Sequence, residues 1–246
     1  MAKLLATSLC MVMTAMTTAK ASELKLIAGG SLAGLFKQLG PQFEQASGHT
    51  LSIHFDSTPN IISRINAGTA FDVVVVPADV FGDATAKSHL TDPTDIARVG
   101  FGVIVRAGAP KPDVSTSDNF KKALLAASSV ASVPASAAGA YITKVYERLG
   151  IAEDMKAKTR AQAAPTEIAT AVAKGEAELG IFLTNVFNAP GVELAGPFPA
   201  DLQQQLVFPA AIATGAKEEA AARQLIEFLK APAAADAIKA AGMIPG

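Results

Sequence analysis

From Leu24 onward, short apolar or β-branched runs alternate with longer segments in which apolar residues recur every three or four positions. That alternation predicts an α/β protein in which strands and helices take turns along the chain. The first strand is predicted over Leu24–Ala28, the second over Leu51–Phe55 and the third over Asp72–Val76. Between the first two, Leu32, Leu35, Phe36, Leu39 and Phe43 fall on one face of a helix predicted from about Ser31 to Ala46, which Gly48 ends. The run Asp72-Val73-Val74-Val75-Val76 is continuous, as expected of a central strand covered on both faces.

The pattern resumes after Gly100 with an extended stretch over Val103–Val105 and a Pro/Gly-rich link over Gly108–Pro112. A helix is predicted around Asn119–Ala127, and a strand over Val130–Val133. Pro134–Gly139 then leads into a helix carrying Tyr141, Val145 and Leu149 and closed by Gly150. Further on come a helix over Pro165–Lys174 and strands over Glu178–Phe182 and Leu206–Ile212. Two closing helices, over Ala216–Lys230 and Pro232–Ala241, are expected to pack back on the first half. Each half has a small-residue turn between strand and helix, and two such turns can face each other across a cleft.

The N-terminus reads as an export signal: Lys3, an apolar stretch from Leu4 to about Ala15, and Ala19-Lys20-Ala21 as the cleavage site. Residues 1–21 are therefore assigned to a signal peptide, with a mature start at Ser22 and export of the protein. The apolar stretch falls short of the ~20 residues of a bilayer span. The sole cysteine, Cys10, leaves with the signal, so the mature chain forms no disulfide or thiolate metal site. Losing Lys3 and Lys20 takes the formal charge from −1 to −3, which argues against a nucleic-acid partner.

Candidate chemistry sits in the turns. In Gly29-Gly30-Ser31, two glycines allow close backbone approach, and Ser31 stands either as a helix cap or as a hydroxyl beside free first-turn N–H groups that can hold an anion. Phe55-Asp56-Ser57-Thr58-Pro59-Asn60 is a second such turn, again readable as a cap or as an oxyanion site. Both turns lie at the C-terminal ends of neighbouring strands, where open α/β sheets bind ligands. A dinucleotide fingerprint would want glycine at 31 and a nucleophile elbow glycine at 33, so neither motif is met. Asp79 is expected to cap the helix that follows it, and Asp72 stands at the other end of its strand, so the two do not make an acid/base pair. His49, His54 and His89 have no metal-ligand spacing and are read as surface or turn residues; Tyr141 and Tyr146 are read as ligand-reaching or as half-buried packing.

These residues resemble the periplasmic molybdate-binding proteins of bacterial ABC transporters and the wider type 2 solute-binding family, over about Leu24–Gly242. The carriers are Ala28-Gly29-Gly30-Ser31-Leu32, Phe55-Asp56-Ser57-Thr58, Ile65-Asn66-Ala67-Gly68-Thr69-Ala70-Phe71-Asp72-Val73, Ala138-Gly139-Ala140-Tyr141 with Glu147-Arg148-Leu149-Gly150, and Gly175-Glu176-Ala177-Glu178-Leu179-Gly180-Ile181. The resemblance implies a two-lobed fold, each lobe a mainly parallel sheet flanked by helices, with lobe 1 over 22–102 plus 207–246, lobe 2 over 103–206, and hinge crossings near 99–107 and 191–212. It implies a monomeric receptor, neither an enzyme nor a cofactor or metal carrier, that holds a small anion through hydroxyls and N–H groups and passes it to a membrane permease. Carried over, Ser31 and one of Ser57 or Thr58 supply hydroxyls, Ala138 an N–H, with Gly30 and Gly139 beside them. Two positions depart: Leu183 stands where the family has a tyrosine, and Pro165 at or next to an N–H donor, with Thr166 or Thr184 as substitutes. A small organic acid is therefore the alternative ligand. A sensor-type receptor and an exported serine hydrolase using Ser31 are the alternative functions.

Overall fold

The computed structural model describes residues 21–246; residues 1–20, which carry most of the predicted signal segment, lie outside the described residues. In chain order the elements are β1 (Glu23–Gly29), α1 (Ala33–Ser47), β2 (Thr50–Asp56), α2 (Thr58–Asn66), β3 (Val73–Val75), α3 (Ala84–Ser88), β4 (Thr94–Val99), β5 (Phe101–Arg106), α4 (Ser117–Ala126) and β6 (Val130–Ser132). There follow α5 (Ala137–Arg148), α6 (Ala152–Lys158), β7 (Thr159–Ala161), α7 (Pro165–Ala173), β8 (Leu179–Leu183), β9 (Val192–Pro197), β10 (Leu206–Ile212), α8 (Glu219–Lys230), α9 (Pro232–Ala240) and β11 (Ile244–Pro245). They build two sheets, ordered β11-β4-β10-β3-β1-β2 and β7-β6-β8-β5-β9.

The strand period explains the first sheet. Leu24, Leu26, Ala28, Val73 and Val75 point into one apolar cluster with Leu35, Phe36, Leu39 and Phe43 of α1, while Ile27, Val74 and Val76 point into another with Ile61 and Ile65 of α2. A strand buried on both faces has no polar positions to alternate, hence the unbroken valine run. Each fully buried Leu, Ile, Val or Phe contributes about 1.5–3 kcal/mol. The strands that carry the small-residue turns run parallel, β1 with β2 and β3, and β6 with β7 and β8. The strands at the crossings run antiparallel: β10 with β3 and β4, and β5 with β8 and β9. The expected mainly parallel pairing therefore holds where the turns are, and reverses where the chain passes between sheets.

The chain passes between sheets at Gly100 and returns between Pro197 and Leu206. Gln203 on the return path clamps the outward one: Phe101 N–H donates to its Oε1 at 2.8 Å, and its Nε2 donates to the Phe101 carbonyl at 3.0 Å. A side-chain amide here completes the backbone pairing that a neighbouring strand would otherwise give.

Several polar residues play parts other than those expected. Asp72 is a buried anchor: its carboxylate accepts from the N–H groups of Lys25, Lys217 and Glu218, tying the start of α8 to β1. Asp83, and not Asp79, caps α3, accepting from Ala86 N–H at 2.8 Å, because Asp79 sits inside a preceding 3-10 turn over Ala78–Gly82. His49 is buried rather than on the surface, its Nδ1 3.0 Å from the Ser22 hydroxyl and its Nε2 3.0 Å from Gln224 Oε1. Tyr141 donates to the Leu202 carbonyl at 2.7 Å, and Tyr146 is buried in the second sheet's half, where burial pushes its hydroxyl pKa up.

Candidate functional site

A cavity of about 220 Å³ lies where turns from both sheets converge. Four N-terminal turns meet there: the 3-10 turn Gly30–Leu32 after β1, and the starts of α2, α5 and α7. A helix leaves its first N–H groups without intrahelical acceptors, and its dipole puts roughly half a positive charge at that end. Each of the four turns follows a strand end, so the sheets aim all of them at one space.

The first sheet contributes hydroxyls. Ser31, Ser57 and Thr58 line the cavity, with Gly30 beside them. Of the two readings of Ser31, the cap is not met: the chain leaves β1 through the 3-10 turn straight into α1, the position before α1 is Leu32 in a helical conformation, and no side chain caps either turn. The Ser31 hydroxyl makes no hydrogen bond among the described residues, nor does that of Ser57. Thr58 Oγ1 accepts one from Ala137 N–H of the second half at 3.4 Å. The glycine required by packing is Gly29, where a Cβ would stand 3.1 Å from both Phe208 and Pro77; at Gly30 a Cβ would meet only ordinary contacts.

The second sheet contributes backbone. Ala137 and Ala138 open α5, and Ala163, Ala164, Pro165 and Thr166 lead into α7. Ser136 shapes the first of these turns, accepting from Gly139 N–H at 3.0 Å and donating to the Val133 carbonyl at 2.7 Å. Glu167 reaches back to the N–H groups of Ala163 and Ala164. The N–H groups of Thr58, Ala138 and Thr166 find no acceptor among the described residues.

Six of the eight residues expected at the site are thus brought together: Gly30, Ser31, Ser57, Thr58, Ala138 and Thr166. Gly139 and Thr184 are not. Gly139 faces away, packed so tightly that a Cβ would overlap the carbonyl oxygens of Val133 and Pro134, and it borders a separate hollow under α5. Thr184 sits at the crossing, its N–H donating to the Gly100 carbonyl at 3.0 Å and its hydroxyl to the same oxygen at 3.4 Å.

The cavity also has walls that the sequence reading did not assign: Phe55, Pro77, Val133, Phe182 and Leu206, with Pro165 and Leu183 among them as noted departures. Pro77 and Pro165 bring no N–H, and Leu183 no hydroxyl. No Lys, Arg or His lines the space among the described residues, and the one titratable side chain there is Asp56. Burial raises its pKa, but hydrogen bonds from Asn60 Nδ2, Ser57 N–H and His54 together outweigh this and hold it below the ordinary carboxylate value. Its charge is turned into the start of α2, leaving the cavity with dipolar donors on an apolar ground. Such a site suits an anion whose charge is met by N–H and O–H groups alone.

Comparison with known proteins agrees with this arrangement. The family model for bacterial extracellular solute-binding proteins matches residues 24–244. An aconitate isomerase from Pseudomonas sp. is 30% identical over 234 residues, covering 91% of this chain and 88% of its own length. The molybdate-binding protein ModA of Azotobacter vinelandii is 28% identical over 229 residues, covering 91% and 90%. The solved Azotobacter vinelandii periplasmic molybdate-binding protein superposes with a TM-score of 0.75 at 22% identity, over 90% of this chain and 98% of that one. With two sheets flanked by helices, a cavity between them and a family match over almost all of its described length, the chain belongs to the bacterial extracellular solute-binding proteins.

Proposed function

We propose that this protein is the periplasmic receptor of an ABC importer, whose lobes, 22–102 plus 207–246 and 103–206, close by hinge motion on a small organic anion and present it to a membrane permease. One observation carries the reading: four N-terminal turns, drawn from both sheets, converge on a cavity that no cationic side chain lines among the described residues. The likeness to molybdate-binding proteins supports an oxyanion-type guest. The walls favour a carboxylate over a bare tetrahedral oxyanion. The cavity holds about seven waters' worth of volume, and Phe55, Pro77, Phe182, Leu183 and Leu206 offer nothing to a guest that is oxygen on every side. A buried oxygen facing such a wall loses hydration without replacement, at about 1–3 kcal/mol, whereas a carbon body gains from it.

Calorimetric titration of the purified protein with citrate, trans-aconitate, malonate, molybdate and sulfate tests this. The expected result is micromolar or tighter binding of at least one carboxylate, about −8 kcal/mol or better. Binding of molybdate or sulfate alone would restore the inorganic oxyanion, and no heat from any of them would remove the receptor reading. The aconitate isomerase relative favours one further reading, a proton-transferring isomerase. Asp56 is the titratable group such chemistry would have to use, and a carboxylate already accepting three hydrogen bonds is a weak base. Interconversion of cis- and trans-aconitate by the wild type that is lost in Asp56→Asn, with binding kept, would establish it.

A further inference from the structure

A second hollow, of about 430 Å³, lies behind the backbone wall of the anion cavity. It is the larger of the two spaces, and its volume falls in the range of about 300–1,000 Å³ that small-molecule sites occupy. The end of β6 and the start of α5 divide it from the anion cavity. Val133 lines the cavity while its neighbour Ser132 lines the hollow, because successive residues of an extended chain point to opposite sides. Ala137 and Ala138 of α5 likewise line the cavity. Gly139, Ile142, Thr143 and Tyr146, three and four residues apart, turn one face of the same helix to the hollow.

Burial orders the lining from floor to rim. Ser132 and Tyr146 form the floor, at 3% and 7% exposure. The Tyr146 hydroxyl is buried with no partner among the described residues, and burial pushes its pKa up, so it stands as a neutral O–H. Two other hydroxyls of the lining are committed elsewhere: Thr143 donates to the Gly139 carbonyl at 3.0 Å and Thr159 to the Met155 carbonyl at 2.6 Å. A buried polar group left unmet costs free energy that a guest hydroxyl restores. Above the floor, Ile142 and Ala152 offer carbon alone. At the exposed rim stand Glu147, Glu153 and Lys156, two carboxylates to one ammonium, none of them in an ion pair among the described residues.

We propose that this hollow is a second binding site, for a small amino alcohol: its hydroxyl meets Tyr146 and Ser132 at the floor, its carbon stem lies on Ile142 and Ala152, and its ammonium reaches Glu147 and Glu153 at the rim. The site stands apart from the receptor reading above, since it shares no lining residue with the anion cavity. The two spaces also select opposite charges. A carboxylate that suits the anion cavity would meet two like charges at this rim. Exposed charges act weakly through water, so the rim sets a preference of several-fold and the floor hydroxyls supply the rest.

The test is calorimetry with four probes on one carbon stem, aminohexanol, hexylamine, hexanol and hexanoate, applied to wild type, Tyr146→Phe, the Glu147→Gln/Glu153→Gln double variant and Ser31→Ala. Wild type is expected to bind aminohexanol with a dissociation constant of about 1 mM or tighter, hexylamine and hexanol more weakly, and hexanoate weakest. Tyr146→Phe should weaken aminohexanol and hexanol by about threefold to tenfold and leave hexylamine unchanged. The double variant should weaken the two amines several-fold and leave hexanol unchanged. Ser31→Ala should alter none of the four. Thermal melts read the floor separately: Tyr146→Phe loses no bond within the protein, so its Tm should equal or exceed that of wild type. A fall of about 5 °C or more would give the hydroxyl a structural partner and overturn its role. A wild type that takes up no aminohexanol at about 10 mM would leave the hollow to water and overturn the site. Hexanoate binding as tightly as aminohexanol would overturn the charge assignment, and a loss of aminohexanol in Ser31→Ala would place that guest in the anion cavity instead.

Discussion

The two walls of the cavity do the same work with different chemistry. On the first sheet's side the groups are side chains: Ser31, Ser57 and Thr58 present hydroxyls. On the second sheet's side the free donors are mainly backbone: the N–H groups of Ala138 and Thr166, set among alanines at 137, 163 and 164 whose own N–H groups are already bonded within the protein. A wall of hydroxyls is altered atom by atom through single substitutions. A wall of backbone is altered only by changing where the chain goes, which makes it the stiffer half of the site.

The largest expected effect follows from that stiffness. Gly139→Ala places a methyl against the Val133 and Pro134 carbonyls, backbone atoms that cannot rotate aside. Overpacking of this kind is expected to cost about 3 kcal/mol, lowering Tm by roughly 10 °C, and to disturb the start of α5 with it. A melting curve within about 2 °C of wild type would show that the second wall yields as readily as the first, and the contrast between the two would fail.

Ser31→Ala is the matching change on the hydroxyl wall. Its hydroxyl holds nothing in the protein, so stability should stay within about 0.5 kcal/mol while affinity for the bound anion falls by about 1–3 kcal/mol. Thermal melts and calorimetry on the same sample read both quantities. The reverse outcome, a loss of about 1 kcal/mol in stability with affinity unchanged, is the signature of a helix cap and would return Ser31 to that role.

The same contrast governs what the sequence makes legible. The first half announces itself because burial on both faces of β3 leaves an unbroken valine run, and because serine and threonine after a strand are chemically conspicuous. Ser31 is conspicuous for two reasons that sequence cannot separate, capping and binding, and only the path of the chain through Gly30–Leu32 decides between them. In the second half, alanine carries no such mark. β7 is three residues long with a single apolar side chain, and β9 has no buried residue and ends in Gly196-Pro197, so neither shows a strand period, and nothing in the chain before Pro165 marks Ala163 and Ala164 as cavity residues. Gly139 misleads for a related reason: a glycine needed for close approach looks the same whether the neighbour is a ligand or a carbonyl. Ser136 was within reach, as a serine three residues before the glycine whose N–H it accepts.

The smallest expected effect is at Gly30, where the two walls touch. A methyl there would lie 3.5 Å from the Asp56 carbonyl oxygen and 3.5 Å from Pro165 Cδ, ordinary contacts with one residue from each wall. Gly30 is not among the residues with positive φ, so alanine meets no backbone strain. Gly30→Ala is therefore expected to leave Tm within about 2 °C of wild type. Because Asp56 and Pro165 both line the cavity, the methyl takes its volume from the guest's space. Affinity should then fall more for a branched carboxylate such as citrate than for a compact one such as malonate, a difference of about 0.5–1 kcal/mol or a few-fold in the ratio of dissociation constants. Calorimetry with the two acids side by side measures that ratio directly. Equal losses for both would place the methyl outside the guest's volume and confine the role of Gly30 to the seam between the walls.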